Sequence, residues 1–165
     1  MKRAIFFAIV AAIILIPSAV AYGYERANAA DISINIEAAD QSQVPTVHIW
    51  GNYTGTISDG DLFTIDTSGA TVDTTFTLVM SNLDELINYY RFLTMNISIY
   101  VQSGTDGWEK MVTAEMLITM ENGELNFSLP GNAKYKVTVE SGSYHSFSFT
   151  RGKSVAIPQF SLTAS

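Results

Sequence analysis

From residue 31 onward the chain is dominated by a period-two alternation of apolar and polar positions, the mark of strands with one face in a core and the other in water. Ile32, Ile34 and Ile36 alternate with Ser33, Asn35 and Glu37, and Val47 and Ile49 with Thr46, His48 and Trp50. Phe76, Leu78 and Met80 oppose Thr75, Thr77 and Val79. Met95, Ile97, Ile99 and Val101 alternate with Asn96, Ser98, Tyr100 and Gln102, and Tyr135, Val137 and Val139 with Lys136, Thr138 and Glu140. Tyr144 is offset from a Phe147/Phe149 pair, and Val155, Ile157 and Phe160 close the chain.

Polar breakers separate these runs: Ser58-Asp59-Gly60-Asp61, Ser68-Gly69, Ser103-Gly104-Thr105-Asp106-Gly107 and Pro130-Gly131-Asn132. Asn122-Gly123 predicts a two-residue hairpin turn, because both residues tolerate positive φ. It is expected to join a strand over 112–120 to one over 125–129, and Ser141-Gly142 to join the next pair in a similar way. One segment has helical spacing instead, with Leu83, Leu86, Ile87 and Tyr90 on one face. Ser81 reads as its N-cap, with Asp84 and Glu85 suiting the positive end of the helix dipole. The whole pattern predicts an all-β fold: an antiparallel β-sandwich, jelly-roll or immunoglobulin-like, with one short helical crossover near 82–90. Tyr89-Tyr90 is expected to plug one end of it.

The N-terminus follows other rules. Lys2 and Arg3 precede an apolar run over 4–16, then Pro17-Ser18 and Ala19-Val20-Ala21. A basic start, an apolar core and a small-x-small exit predict a secretory signal peptide over 1–21, cut between Ala21 and Tyr22. Ala27-Asn28-Ala29 is a second small-x-small site farther from the apolar core. Two other readings are an uncleaved anchor, which would extend the run through residues 19–24, and a pilin-type leader. The run alone is shorter than the roughly 20 residues that span a bilayer. The expected organisation is thus a signal peptide over 1–21, an arm over 22–30 and a single sandwich domain over 31–165.

Removing that leader takes away Lys2 and Arg3 and leaves seven basic against sixteen acidic residues, a net charge of −9. Such a chain repels polyanions, so neither nucleic acid nor anionic lipid is an expected partner. The membrane enters only through the uncleaved signal segment. Cysteine is absent, which removes thiol chemistry, zinc–cysteine sites and disulfides. The fold must therefore hold by packing, metal or neighbouring subunits.

Candidate chemistry is sparse. His48 and His145 are the two histidines, nearly a hundred residues apart on polar-facing strand positions, and they read as surface residues. No nucleophile elbow or Ser-x-x-Lys occurs, so no catalytic residue, metal site or cofactor is expected and the chain reads as a non-enzyme. Asp59, Asp61, Asp66 and Asp73 offer hard oxygens for a weak calcium site, but read more simply as a solvated acidic turn. Trp50, Tyr53, Trp108 and Tyr144 are candidates for a sugar-stacking face. Asn52-Tyr-Thr, Asn96-Ile-Ser and Asn126-Phe-Ser are glycosylation acceptor patterns.

The isoleucine strand over 31–37, coming directly after the arm, has two ways to bury Ile32, Ile34 and Ile36. It can complete its own domain, or it can leave and complete a neighbour's sheet by β-strand addition. The second contact is head-to-tail and does not close on itself, so it builds a filament.

The stretch Thr74-Thr75-Phe76-Thr77-Leu78-Val79-Met80-Ser81-Asn82-Leu83-Asp84-Glu85-Leu86, followed by a strand over 93–101, resembles the TasA/camelysin-type biofilm fibre proteins and archaeal bundling-pilus subunits. Members of that group assemble by donor-strand exchange, and the resemblance implies that role for Ile32, Ile34 and Ile36. Leu129-Pro130-Gly131-Asn132-Ala133-Lys134-Tyr135-Lys136-Val137-Thr138-Val139-Glu140 is similar to a strand of prealbumin-like surface modules, which serve as stalk or adhesive units. The expected function is an exported structural subunit of an extracellular filament or cell-surface matrix, with itself as partner in a head-to-tail homopolymer. The alternative is a monomeric secreted β-sandwich that binds a ligand such as a surface glycan.

Overall fold

A computed structural model describes residues 28–29, 32–40, 54–111, 116–147 and 156–165. The segment over 1–21 read as a signal peptide, His48, Trp50, Asn52 and Tyr53 lie outside the described residues, as does the run at 46–50. The elements are, in order, β1 (Asn28–Ala29), β2 (Ile32–Ser33), β3 (Asn35–Ala38), β4 (Thr54–Ile57), β5 (Gly60–Asp66), β6 (Thr74–Met80), α1 (Leu83–Leu86), β7 (Tyr90–Ser103), β8 (Gly107–Lys110), β9 (Met116–Thr119), β10 (Glu124–Leu129), β11 (Lys134–Ser146) and β12 (Phe160–Ala164). They form an antiparallel β-sandwich of a large and a small sheet, with a separate β1–β2 ribbon.

The large sheet is built on β7 and β11, paired from Tyr135 opposite Val101 to Ser146 opposite Tyr90. Each carries an alternating inward row that a register shift interrupts, between Val139 and Ser141 and again near Ser146 on β11. Each is flanked by two short strands in succession. Along β11 run β4, with Thr54 opposite His145, and then β5, with Asp66 opposite Lys134. Along β7 run β8 and β9. β3 closes one edge by pairing with β5. The small sheet has the order β10-β6-β12.

Between the sheets lies one core. Phe76, Leu78 and Met80 from β6, Phe160 and Leu162 from β12, and Leu93, Met95, Ile97 and Ile99 from β7 are all buried in it. Tyr135, Val137 and Val139 join them from β11. Phe76 stacks on Phe127 across β6 and β10 at 5.8 Å between ring centroids. At one end Tyr90 meets Tyr144 edge to face, also at 5.8 Å, and its hydroxyl donates to the Ala156 carbonyl at 2.8 Å. That is the plug expected of the Tyr89-Tyr90 pair, with Tyr90 as its buried member. Tyr144 leaves no room on Gly55 opposite it, because a Cβ there would run into the ring.

The helical crossover is one turn, carrying the chain from β6 in the small sheet to β7 in the large one, with Leu86 buried. Its cap differs from expectation. Asn82, not Ser81, holds the N-cap position, and its side chain makes no capping bond to the helix. Instead, the Asn82 amide donates to the Ile157 carbonyl and accepts from the Gln159 N–H, both at 2.9 Å. The segment entering β12 outcompetes the helix for that side chain.

Three turn assignments also change. Asn122-Gly123 does reverse the chain, but β9 pairs with β7 and β10 with β6, so the turn bridges the two sheets and closes no hairpin. Ser141-Gly142 is not a turn. It lies inside β11, where the register shifts between Val139 and Ser141 and a bulge absorbs the polar residues. Ser58-Asp59 interrupts rather than reverses the chain, since β4 and β5 run in one direction along β11. By contrast, Ser103-Gly104-Thr105-Asp106-Gly107 is a true hairpin between β7 and β8, with Gly104 at φ 69°. Small polar residues mark a break in a strand in every case, and only the partner on the far side decides whether that break is a turn, a bulge or a bridge.

Candidate functional site

The isoleucine strand expected over 31–37 is split. β2 pairs back onto the arm, with Ala29 opposite Ile32 and Asn28 opposite Ser33, so β1 and β2 form a small ribbon. β3 alone joins the body, through Asn35 opposite Asp66, Ile36 opposite Ile65, Glu37 opposite Thr64 and Ala38 opposite Phe63. The Ala39 N–H extends this ladder to the Leu62 carbonyl at 2.9 Å. Ile36 is 0% and Ile34 3% exposed, both within this chain's own core. The four ladder residues thus deliver one fully buried side chain, Ile36, and Ile34 just before them adds a second buried one at the sheet edge. At 25 cal/mol per Å2 of apolar surface, each such side chain contributes about 1.5–3 kcal/mol.

The outward face of β3 is polar. The Asn35 amide donates to a Glu37 carboxylate oxygen at 2.7 Å. Asn35 and Glu37 line a shallow hollow with Thr64, Asp66 and Lys134. Lys134 pairs with Asp66 at 3.4 Å, and the Ser68 N–H donates to Asp66 at 2.9 Å. Burial works against the Asp66 charge, but Ser68 and Lys134 outweigh it and hold the carboxyl below its ordinary value.

A second cluster occupies the outer face of the large sheet. The Lys136 ammonium lies 3.2 Å from Asp61, 5.4 Å from the Tyr100 ring centroid and 5.3 Å from that of Trp108. The Tyr100 hydroxyl donates to Glu140 at 2.7 Å, and Lys110 pairs with Glu140 at 2.6 Å. Hydrogen bonds from Lys110 and Tyr100 hold the Glu140 carboxyl below its ordinary value against the effect of burial, and the bond to Glu140 pushes the Tyr100 phenol up. The cluster ties β5, β7, β8 and β11 together across the bulge at Glu140.

The remaining sequence candidates fall apart in space. Tyr144 is a core residue, whereas Trp108 is 38% exposed with Lys136 over its ring. Asp66 sits on β5 opposite Lys134 and Asp61 opposite Thr138, paired with Lys136 along the strand, and among the described residues no group of three or more His, Asp or Glu is arranged to hold a metal ion. His145 is half-buried on β11, opposite Phe92 and Thr54. Asn96 is half-buried within the sheet and donates to the Ser141 hydroxyl at 2.9 Å. Asn126 is exposed on β10, accepting from Thr77 at 2.6 Å and donating to Glu124 at 3.0 Å. The Lys136–Tyr100–Trp108 arrangement was not legible beforehand, because it needs the register of three strands.

Comparison with protein-family models and with curated proteins returns no match for this chain.

Proposed function

We propose that this chain is an exported structural subunit of an extracellular filament or cell-surface matrix, assembling head-to-tail by donation of its N-terminal strand. The observation that carries the reading is β3. It is a four-residue edge strand, close to the start of the domain, whose Ile36, with Ile34 just before it, fills a groove beside β5. Strand and groove are complementary, so a strand from a neighbour fits the same groove by the same main-chain bonds and isoleucine contacts. In a single chain the groove is filled internally. In a filament each groove is filled by the next subunit, and burial is conserved while the chains become linked. The signal peptide read over 1–21 supports export, and a chain without cysteine gains cohesion from such linkage.

Negative-stain imaging of the secreted chain beside one lacking residues 22–37 tests the reading. Filaments from the first and none from the second are expected. A stable monomer from the secreted chain at high concentration would contradict it. The alternative, a monomeric glycan-binding module, rests on the exposed ring of Trp108. It predicts glycan-array binding that Trp108→Ala abolishes.

A further inference from the structure

Among the described residues the small sheet ends in two edges, β10 and β12, and they differ. The Met80 N–H donates to the Gly123 carbonyl at 2.7 Å. Main-chain groups alternate along an antiparallel strand, so those of Leu125, Phe127 and Leu129 point to β6 and those of Glu124, Asn126 and Ser128 point away from it. Glu124, Asn126 and Ser128 are all exposed. On β12, the bonds from Ser81 N–H to Gln159 and from Ser165 N–H to Thr75 set Phe160 and Leu162 to face away from β6. Both are 1% exposed, which leaves no open main-chain edge there.

The open edge of β10 lacks the usual guards against pairing. Its six residues include no lysine and no proline, and its register with β6 runs unbroken from Glu124 to Leu129. Leu125 and Phe127 face the core yet stay half-buried, so a further strand would cover them. The strand is also complementary to itself. Turned about a two-fold axis at Asn126, it sets Asn126 opposite its own copy, and Glu124 opposite Ser128. All three outward-pointing residues of each copy then exchange main-chain bonds, Leu125 lies against Phe127, and no two like charges stand opposed. Registers centred on a neighbouring residue use fewer of these groups.

We propose that β10 is a self-association edge that pairs antiparallel with β10 of a second copy, centred on Asn126, and joins two small sheets into one of six strands. The contact lies across the sandwich from β3, because β9 flanks β7 at the far side of the large sheet and leads directly into β10. It therefore stands independently of strand donation.

The chain has no cysteine, so introduced thiols report on the joint. Directly opposed strand residues are within disulfide reach. Under oxidation, full chains carrying N126C are expected to link to each other. Chains carrying E124C or S128C should link slowly alone, and on the order of tenfold faster when the two are mixed, because pairing raises the effective thiol concentration. Adding N126P to both chains of that mixture removes an N–H that points away from β6, and should return linkage to the rate of the separate variants. Equal rates for the mixture and the separate variants, or a mixture that N126P leaves unchanged, would overturn the proposal.

Discussion

Single residues fix the geometry at one end of the large sheet and at the bulge in the middle of β11. Tyr144 lies over Gly55 so closely that any side chain there must displace the ring. Gly55→Ala is expected to cost about 1–3 kcal/mol by overpacking, read as a lower denaturant midpoint. Gly55→Ala made together with Tyr144→Leu should cost less than the two changes summed. At the bulge, Glu140 gathers Lys110 and Tyr100. Its folded carboxyl is held below the unfolded value, so its contribution is present above that value and is lost as pH falls through the lower, folded one. Glu140→Gln is expected to flatten this acid limb of the stability profile. The Tyr100 phenol is shifted the other way, so its contribution holds below its unfolded value and fades as pH rises through the higher, folded one.

At the scale of elements, β12 is held by a side chain that the sequence places at a helix start. Asn82 makes two bonds to the segment before β12. Asn82→Ala is expected to cost about 1–3 kcal/mol and to speed amide exchange in β12 more than in β7 or β11. Ser81 and Asn82 are both good cap residues, and nothing local says that residues 157–159 arrive to claim one of them. The same limit governs the turns. Asn122-Gly123 announces a reversal, yet whether its flanks pair depends on β6 and β7, which are distant in sequence. Period-two alternation was legible because it needs only the strand's own residues, and it marked Phe76, Leu78 and Met80, Met95, Ile97 and Ile99, and Tyr135, Val137 and Val139 as inward, whereas Val101 is half-buried and Ser98 and Thr138, read as polar-facing, are buried. For β3 it identified Ile34 and Ile36 as inward, whereas pairing of Ile32 with Ala29 depends on a ribbon without a turn signature. Ile36→Ala, at a fully buried site, is expected to cost about 2–5 kcal/mol in the monomer's unfolding midpoint.

At the scale of the whole molecule, strand donation depends on whose groove β3 fills. Ile36→Ala should then weaken filaments as well as monomers, because one contact serves both. Asn35 and Asp66 face each other on the outward side of β3 and β5, and the chain has no cysteine of its own. Directly opposed strand residues are close enough for a disulfide. Chains carrying Asn35→Cys mixed with chains carrying Asp66→Cys, then oxidised, therefore report on the joint itself. Strand donation predicts disulfide-linked dimers in the mixture, and ladders of linked subunits when both changes are made in one chain. No linked dimer in the mixture, with the doubly substituted chain closing its disulfide internally, would contradict it.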